Sequence, residues 1–408
     1  PKGEPPEGEP DERHGQDTAV QGTAPASRPS RPDASRGWRY ASRDKRDLRL
    51  DYLRGYCAFA MVVDHLGGAS YIYPVTGGNQ FFVSAAEGFI FLSGLLVGLI
   101  YGPRALRDGV APVQLHLLRR AATLYAVTLS LTFTFIGLSR LADMPWLPQG
   151  EPTALTPALV TSLITLHRTY YLVDVMLLYT LLLVVSPLAM LLLCAGKTWL
   201  VVLISGGLWI AHQWFPEEAI VPWTIVNNTT FPVAAWQLWF FGGMVVGFHR
   251  DAIWQRIGRL SRRPALALLV LAGAALVYLR ATNGAVLAGI GGTADGPAAL
   301  ELLFGKHDAR VGRVVAFAVF FPLLYALLSY AWRPLAAALG WLLIPFGQNA
   351  LYVYALHLFA IFFSALILPL VPGFERDVAW MNSLIQVLAI LIIWLMIKRQ
   401  VLFELIPR

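Results

Sequence analysis

Charge is what this chain has little of: 14% of its 408 residues are Asp, Glu, Lys or Arg, while 56% are hydrophobic and 12% aromatic. Soluble domains carry about 25% charged residues, so this deficit and a mean hydropathy of +0.57 exclude an ordinary water-soluble fold. Cysteine is almost missing. The two present, Cys57 and Cys194, lie in different apolar stretches without a CxxC partner; a disulfide scaffold and a structural zinc site are therefore not expected, nor is any other metal. The chain also lacks a GxxxxGKS/T loop, a GxSxG, an HExxH and a dinucleotide glycine fingerprint, which argues against ATP-driven transport and soluble-type serine hydrolysis. Nor is there a basic patch interleaved with aromatic residues, so no nucleic-acid partner is expected despite a net charge of +7.

What the chain does have is apolar length. Runs of about 20 residues, enough to cross hydrocarbon, fall near 51–71, 81–101, 116–138, 171–194, 198–215, 233–248, 264–280, 313–331, 341–366 and 380–402. The expected fold is all-α, a polytopic integral membrane protein with about ten transmembrane helices. Cations set its orientation. Arg43, Lys45, Arg46 and Arg49 precede the first run, Arg104, Arg107, Arg119 and Arg120 bracket the second connection, and Arg250, Arg256, Arg259, Arg262 and Arg263 fill the sixth. If every run crosses, these segments share one side, which the positive-inside rule makes the cytoplasm, with both termini cytoplasmic. One loop fits less well, because Lys306, Arg310 and Arg313 fall on the outer side. Residues 1–45, rich in Pro, Gly, Ser and charge, read as a disordered cytoplasmic tail, leaving 46–408 as the transmembrane domain. Beginning at Pro1 without a signal peptide, the chain reads as processed or truncated, and its first span is expected to do the targeting.

Ionisable side chains inside lipid are costly and mark function by default. Arg54 and His65 lie in the first run, eleven positions or close to three turns apart, so they share a face at about 16 Å separation along the axis. Arg54 alone reads equally as a boundary arginine that snorkels, and His65 as a histidine bonded to a neighbouring helix. Asp64 points about 100° away and is expected to pair elsewhere. Glu87 interrupts the second run among Ala86, Gly88, Ser93, Gly94 and Gly98, small residues that let helices approach closely. It is either a structural partner for Arg54 or part of an acceptor pocket.

The segment from Arg46 to Gly102, with DLRLDYLRG, VDH, SAAEGFIFLSG and a closing YG, resembles the OpgC-type membrane succinyltransferases of the acyltransferase-3 superfamily. Fainter echoes are FPVAAWQLWFFGG, ending at Gly243, and GQNALYVYALH, from Gly347 to His357. The resemblance implies a ten-helix protein of the bacterial inner membrane that esterifies a sugar hydroxyl outside with an acyl group from cytoplasmic acyl-CoA. The family's arginine, ten intervening residues and histidine fall on Arg54 and His65, and its arginine pair on Arg119 and Arg120. The proline that often follows that pair is replaced by Ala126 and Val127.

The chemistry agrees with that implication. Acyl transfer to an alcohol needs a base, for which His65 is the natural candidate, with Asp64, Glu87 and Arg54 completing the expected catalytic group. Arginine suits nucleotide phosphates, so Arg119, Arg120 and Arg104 are expected to hold CoA, although they read equally as positive-inside anchors. No activated nucleophile is evident, which favours direct transfer over a covalent acyl-enzyme. His167, Asp174 and Trp236 are candidates for the glycan acceptor, although tryptophans such as Trp214, Trp223, Trp236 and Trp239 also form membrane belts. His357 reads as a packed core histidine. The lipid bilayer is the remaining partner, no permanently bound cofactor is expected, and a homodimer stays open. The alternative from another class is a proton-coupled transporter or flippase using Asp64, His65 and Glu87 as a relay, against which no inverted repeat or matching pair of broken helices is visible.

Overall fold

The computed structural model describes residues 47–140, 154–170, 172–228, 230–259, 262–291, 295–404 and 406; the expected tail at 1–45 lies outside them. The described chain is helical. In order it forms α1 (Leu48–Leu66), α2 (Tyr73–Thr76), α3 (Ala85–Asp108), α4 (Val110–Leu138), α5 (Pro157–Ile164), α6 (Asp174–Cys194), α7 (Thr198–Trp214) and α8 (Val233–Phe248). There follow α9 (Arg250–Arg259), α10 (Arg262–Ala281), α11 (Ala285–Gly291), α12 (Gly296–Phe304), α13 (Val311–Tyr330), α14 (Trp332–Gln348), α15 (Ala350–Ile367) and α16 (Ala379–Lys398).

Every expected apolar run falls on a helix. Among the described residues, α3, α4, α6, α10, α13, α15 and α16 are long and apolar enough to cross a membrane, which makes the chain a multi-pass membrane protein. The first, fifth and sixth expected spans fall on α1, α7 and α8, of 19, 17 and 16 residues. The ninth run differs from expectation. What reads as one stretch over 341–366 is the end of α14 and most of α15, interrupted at Asn349. The Asn349 side-chain amide donates to the carbonyl of Pro345 at 2.9 Å, beside the Asn349 backbone N–H at 3.1 Å. Hydropathy is blind to such an interruption because both sides are equally apolar.

Two helix pairs pack through glycine. An added Cβ on Gly94 or Gly98 of α3 would collide with the Phe240 or Met244 carbonyl of α8, and one on Gly243 or Gly247 of α8 with the Phe91 or Leu95 carbonyl of α3. The same holds between Gly55 of α1 and Gly347 of α14, where a Cβ would meet the carbonyl of Leu343 or Asp51. Backbone contact of this kind is how helices associate without a hydrophobic driving force. The stretches that carry the family resemblance, in α1, α3, α8 and from the end of α14, therefore meet pairwise through their glycines.

Both ends of α1 are anchored. Asp47 caps its start by accepting from the Arg49 N–H at 3.1 Å, and the same carboxylate accepts from Arg250 at 3.1 Å and Tyr325 at 3.2 Å. At the other end, the Asn382 amide of α16 donates to the Gly67 carbonyl at 2.6 Å, and Gln386 to that of Val63 at 3.1 Å.

Candidate active site

Helical periodicity places Arg54, Cys57, Met61 and His65 in a column on one face of α1. Its Leu66 end opens on a cavity of about 160 Å³. Cys57, Met61, Asp64 and His65 supply one wall, Ser84 to Ala86 and Phe89 of α3 a second, Leu172, Asp174 and Val175 a third, and Asn79, Thr230, Phe231, Lys306 and Tyr354 the remainder. Three of the residues singled out in the sequence, Asp64, His65 and Asp174, are thus brought together from helices more than a hundred positions apart.

His65 does not stand alone. Its Nδ1 lies 3.1 Å from Nε2 of His357, whose own Nδ1 meets the carbonyl of Tyr354, while the Tyr354 hydroxyl donates to the carbonyl of Leu172. Gly55 meets Gly347, and ten residues further along each segment His65 meets His357; the equal spacing shows that α1 and α15 run side by side in the same direction. His357 is buried, as a core residue is, but has a polar partner of consequence. The ten-residue spacing from a glycine, shared by both histidines, was the signal available in the sequence.

Asp64 accepts from Thr76 at 2.7 Å, away from His65 as its position on the helix required. Asp174, 2% exposed at the first turn of α6, accepts the N–H of Val175 through Oδ1, while its buried Oδ2 has no hydrogen-bond partner. Glu87 is fully buried and spoken for. It forms a capping box with Ser84, accepting from its N–H at 2.9 Å and its hydroxyl at 2.5 Å, and it pairs with Arg313 of α13. Its neighbours line the cavity; its carboxylate does not.

The three loop cations that fitted the expected topology poorly all have acceptors close by. Arg313 holds Glu87, Arg310 pairs with Asp308 at 2.9 Å, and Lys306 donates to the Asn79 side-chain oxygen at 2.6 Å. The 305–310 loop is pinned so that Lys306 reaches the cavity: Trp236 donates to the His307 carbonyl at 2.9 Å, Gln213 to that of Asp308 at 2.7 Å and Trp209 to that of Ala309 at 2.9 Å. Burial holds the Lys306 ammonium below the ordinary lysine pKa. Trp236 is fully buried and anchors this loop rather than lining the cavity. His167 is exposed, stacked on Trp223 with centroids 4.9 Å apart, and also lies off the cavity wall.

The arginines occupy other positions. The Arg54 guanidinium lies over the Phe89 ring, 5.5 Å from its centroid, deeper along the α1 column. Arg104 on α3, and Arg119 and Arg120 on α4, are exposed. Arg104 follows Ala85 by nineteen positions, about 28 Å along the helix axis. Among the described residues no group of three or more His, Cys, Asp or Glu side chains is arranged to hold a metal ion.

Neither the curated proteins nor the solved structures yield a significant match to the chain. Residues 46–403 match the profile of the family described as OpgC protein, so nearly all of the chain is covered and it belongs to that family.

Proposed function

We propose that the protein is a membrane-embedded O-acyltransferase of the bacterial inner membrane. It moves an acyl group, succinyl by the family resemblance, from cytoplasmic acyl-CoA to a hydroxyl of an extracytoplasmic glucan or other glycan. The observation that carries this reading is that His65, the histidine of the family's spaced pair, lines a cavity shared with the unpartnered carboxylate oxygen of Asp174.

In the proposed reaction Asp174 accepts a hydrogen bond from the acceptor sugar and orients it. His65 removes the proton of the reacting hydroxyl as its oxygen attacks the thioester carbonyl. The new C–O bond forms, the C–S bond breaks, and the proton held by His65 passes to the departing CoA thiolate. Lys306 offers the cation that the second carboxylate of a succinyl group requires. Arg54, at the opposite end of the column from His65, and Arg119, Arg120 and Arg104 beyond it are suited to the phosphates of CoA on the cytoplasmic face. Glu87 serves the site by holding α3 to α13.

Release of free CoA by purified protein tests the reading, with succinyl-CoA or acetyl-CoA as donor and an oligoglucan as acceptor. Acceptor-dependent release that is lost in His65→Ala, and that needs more acyl-CoA in Arg119→Ala, is the expected result. A protein that neither binds nor consumes any acyl-CoA would overturn it in favour of proton-coupled transport.

A further inference from the structure

The acyl-transfer reading leaves the buried polar group beside His65 without a task. His357 is 1% exposed on α15, and its two ring nitrogens have different partners. A carbonyl oxygen only accepts, so Nδ1, against the carbonyl of Tyr354, must carry that ring's proton. A neutral imidazole has only one, which leaves Nε2 with a lone pair 3.1 Å from Nδ1 of His65. His65 must then donate through Nδ1, because its other tautomer would set two lone pairs face to face. Its Nε2, on the far side of the ring, is left unprotonated for the cavity.

We infer that His357, with the Tyr354 carbonyl behind it, is a positioning residue that keeps Nε2 of His65 free to take the proton of the acceptor hydroxyl. A base acts only in the right tautomer and orientation, and the group behind it selects both. Here that group is a neutral ring backed by a peptide carbonyl. The other charged or titratable groups around the cavity cannot take its place: Asp64 is engaged by Thr76, Asp174 projects from α6 with Oδ1 on Val175, and Lys306 arrives from the loop before α13. The anchor is continuous across three helices, because the Tyr354 hydroxyl is itself tied to Leu172, two residues before α6. When His65 accepts a proton, its Nδ1–H still points at a lone pair, so the imidazolium is stabilised where it forms. The proton then leaves from Nε2 to the thiolate, and both rings return to their starting tautomers.

This inference rests on the proposed acyl transfer, and the two can fail separately. Steady-state CoA release is measured for His357→Leu, which removes the acceptor, and for His357→Gln, whose amide oxygen can still accept from Nδ1 of His65. His357→Leu is expected to lose about 100-fold in kcat, within the range a positioned base contributes, with KM for acyl-CoA and acceptor changed by less than about threefold. His357→Gln is expected to stay within about tenfold of wild type in kcat, since it keeps the acceptor. Equal losses in both variants, or a loss confined to KM, would overturn the positioning role. If His357→Leu does not fold, His357→Gln decides alone: a kcat as low as that of His65→Ala refutes the inference. Full activity in His65→Ala would refute the base itself; an inactive His65→Ala beside a fully active His357→Leu would refute only the positioning role of His357.

Discussion

The Glu87–Arg313 pair invites a double-mutant cycle. Both side chains are removed from solvent, 0% and 4% exposed, and the pair joins the first turn of α3 to the first turn of α13 beside the cavity. Two unit charges about 4 Å apart attract by about 4 kcal/mol at the effective dielectric of a protein site, and breaking a buried pair from one side costs about 3–5 kcal/mol because a charge is left stranded. The two halves are unequal. Arginine cannot shed its proton at any usable pH, whereas a stranded carboxyl group can take one up. Glu87→Gln should therefore cost about 4 kcal/mol and Arg313→Met somewhat less. The double variant, with no charge to strand, should fall well short of their sum, with a coupling of at least about 2 kcal/mol. Thermal unfolding in detergent reads this as midpoint losses of roughly 5–10 °C for each single variant, scaling from known domains. Near-additive losses would refute the account of Glu87 as a structural partner. So would a double variant that recovers stability without recovering CoA release, which would return Glu87 to the reaction itself.

Other outcomes follow from particular contacts. Gly347→Ala places a methyl group against the Asp51 carbonyl, so α14 must move away from α1; a loss of about 1–3 kcal/mol in stability is expected, and a variant with unchanged melting would show that the contact is not limiting. Lys306→Met should reduce the ratio of succinyl-CoA to acetyl-CoA kcat/KM by about 30-fold or more, the worth of a charge-assisted hydrogen bond, while Lys306→Arg should preserve it. Because burial depresses the Lys306 pKa, the ammonium is present at low pH and lost as pH rises through that lowered value. The succinyl preference should accordingly decline below the ordinary lysine titration range near about 10.4; a ratio flat to that point would contradict it. Replacing Arg119 and Arg120 together by Gln should raise the KM for acyl-CoA about tenfold or more with little effect on the acceptor KM, as expected for removed phosphate contacts.

The parts of this molecule that depend on local chain chemistry could be read in advance. Apolar length located the helices, the charges of α1 and α6 pointed to Asp64, His65 and Asp174, and helical geometry correctly turned Asp64 away from His65. What could not be read depends on pairing between distant segments. The partner of Glu87 is 226 positions away and that of His65 is 292, distances over which periodicity carries no information. The placement of Trp236 was hidden for a related reason: a buried indole bonded to a loop and one exposed for sugar stacking look alike in sequence. The clue was in the cations that fitted the topology badly. Lys306, Arg310 and Arg313 look out of place by charge alone because each has a nearby acceptor that charge counting does not see.

The break at Asn349 has a mechanical consequence. An interruption in a lipid-embedded helix normally frees backbone groups; at this one both the backbone N–H and the side-chain amide of Asn349 return to the Pro345 carbonyl. The joint lies between Gly347, clamped against α1, and His357, which faces His65. Torsion at this joint can re-aim His357 while the clamp stays shut, so strength and aim in this wall of the cavity belong to separate pieces of one span.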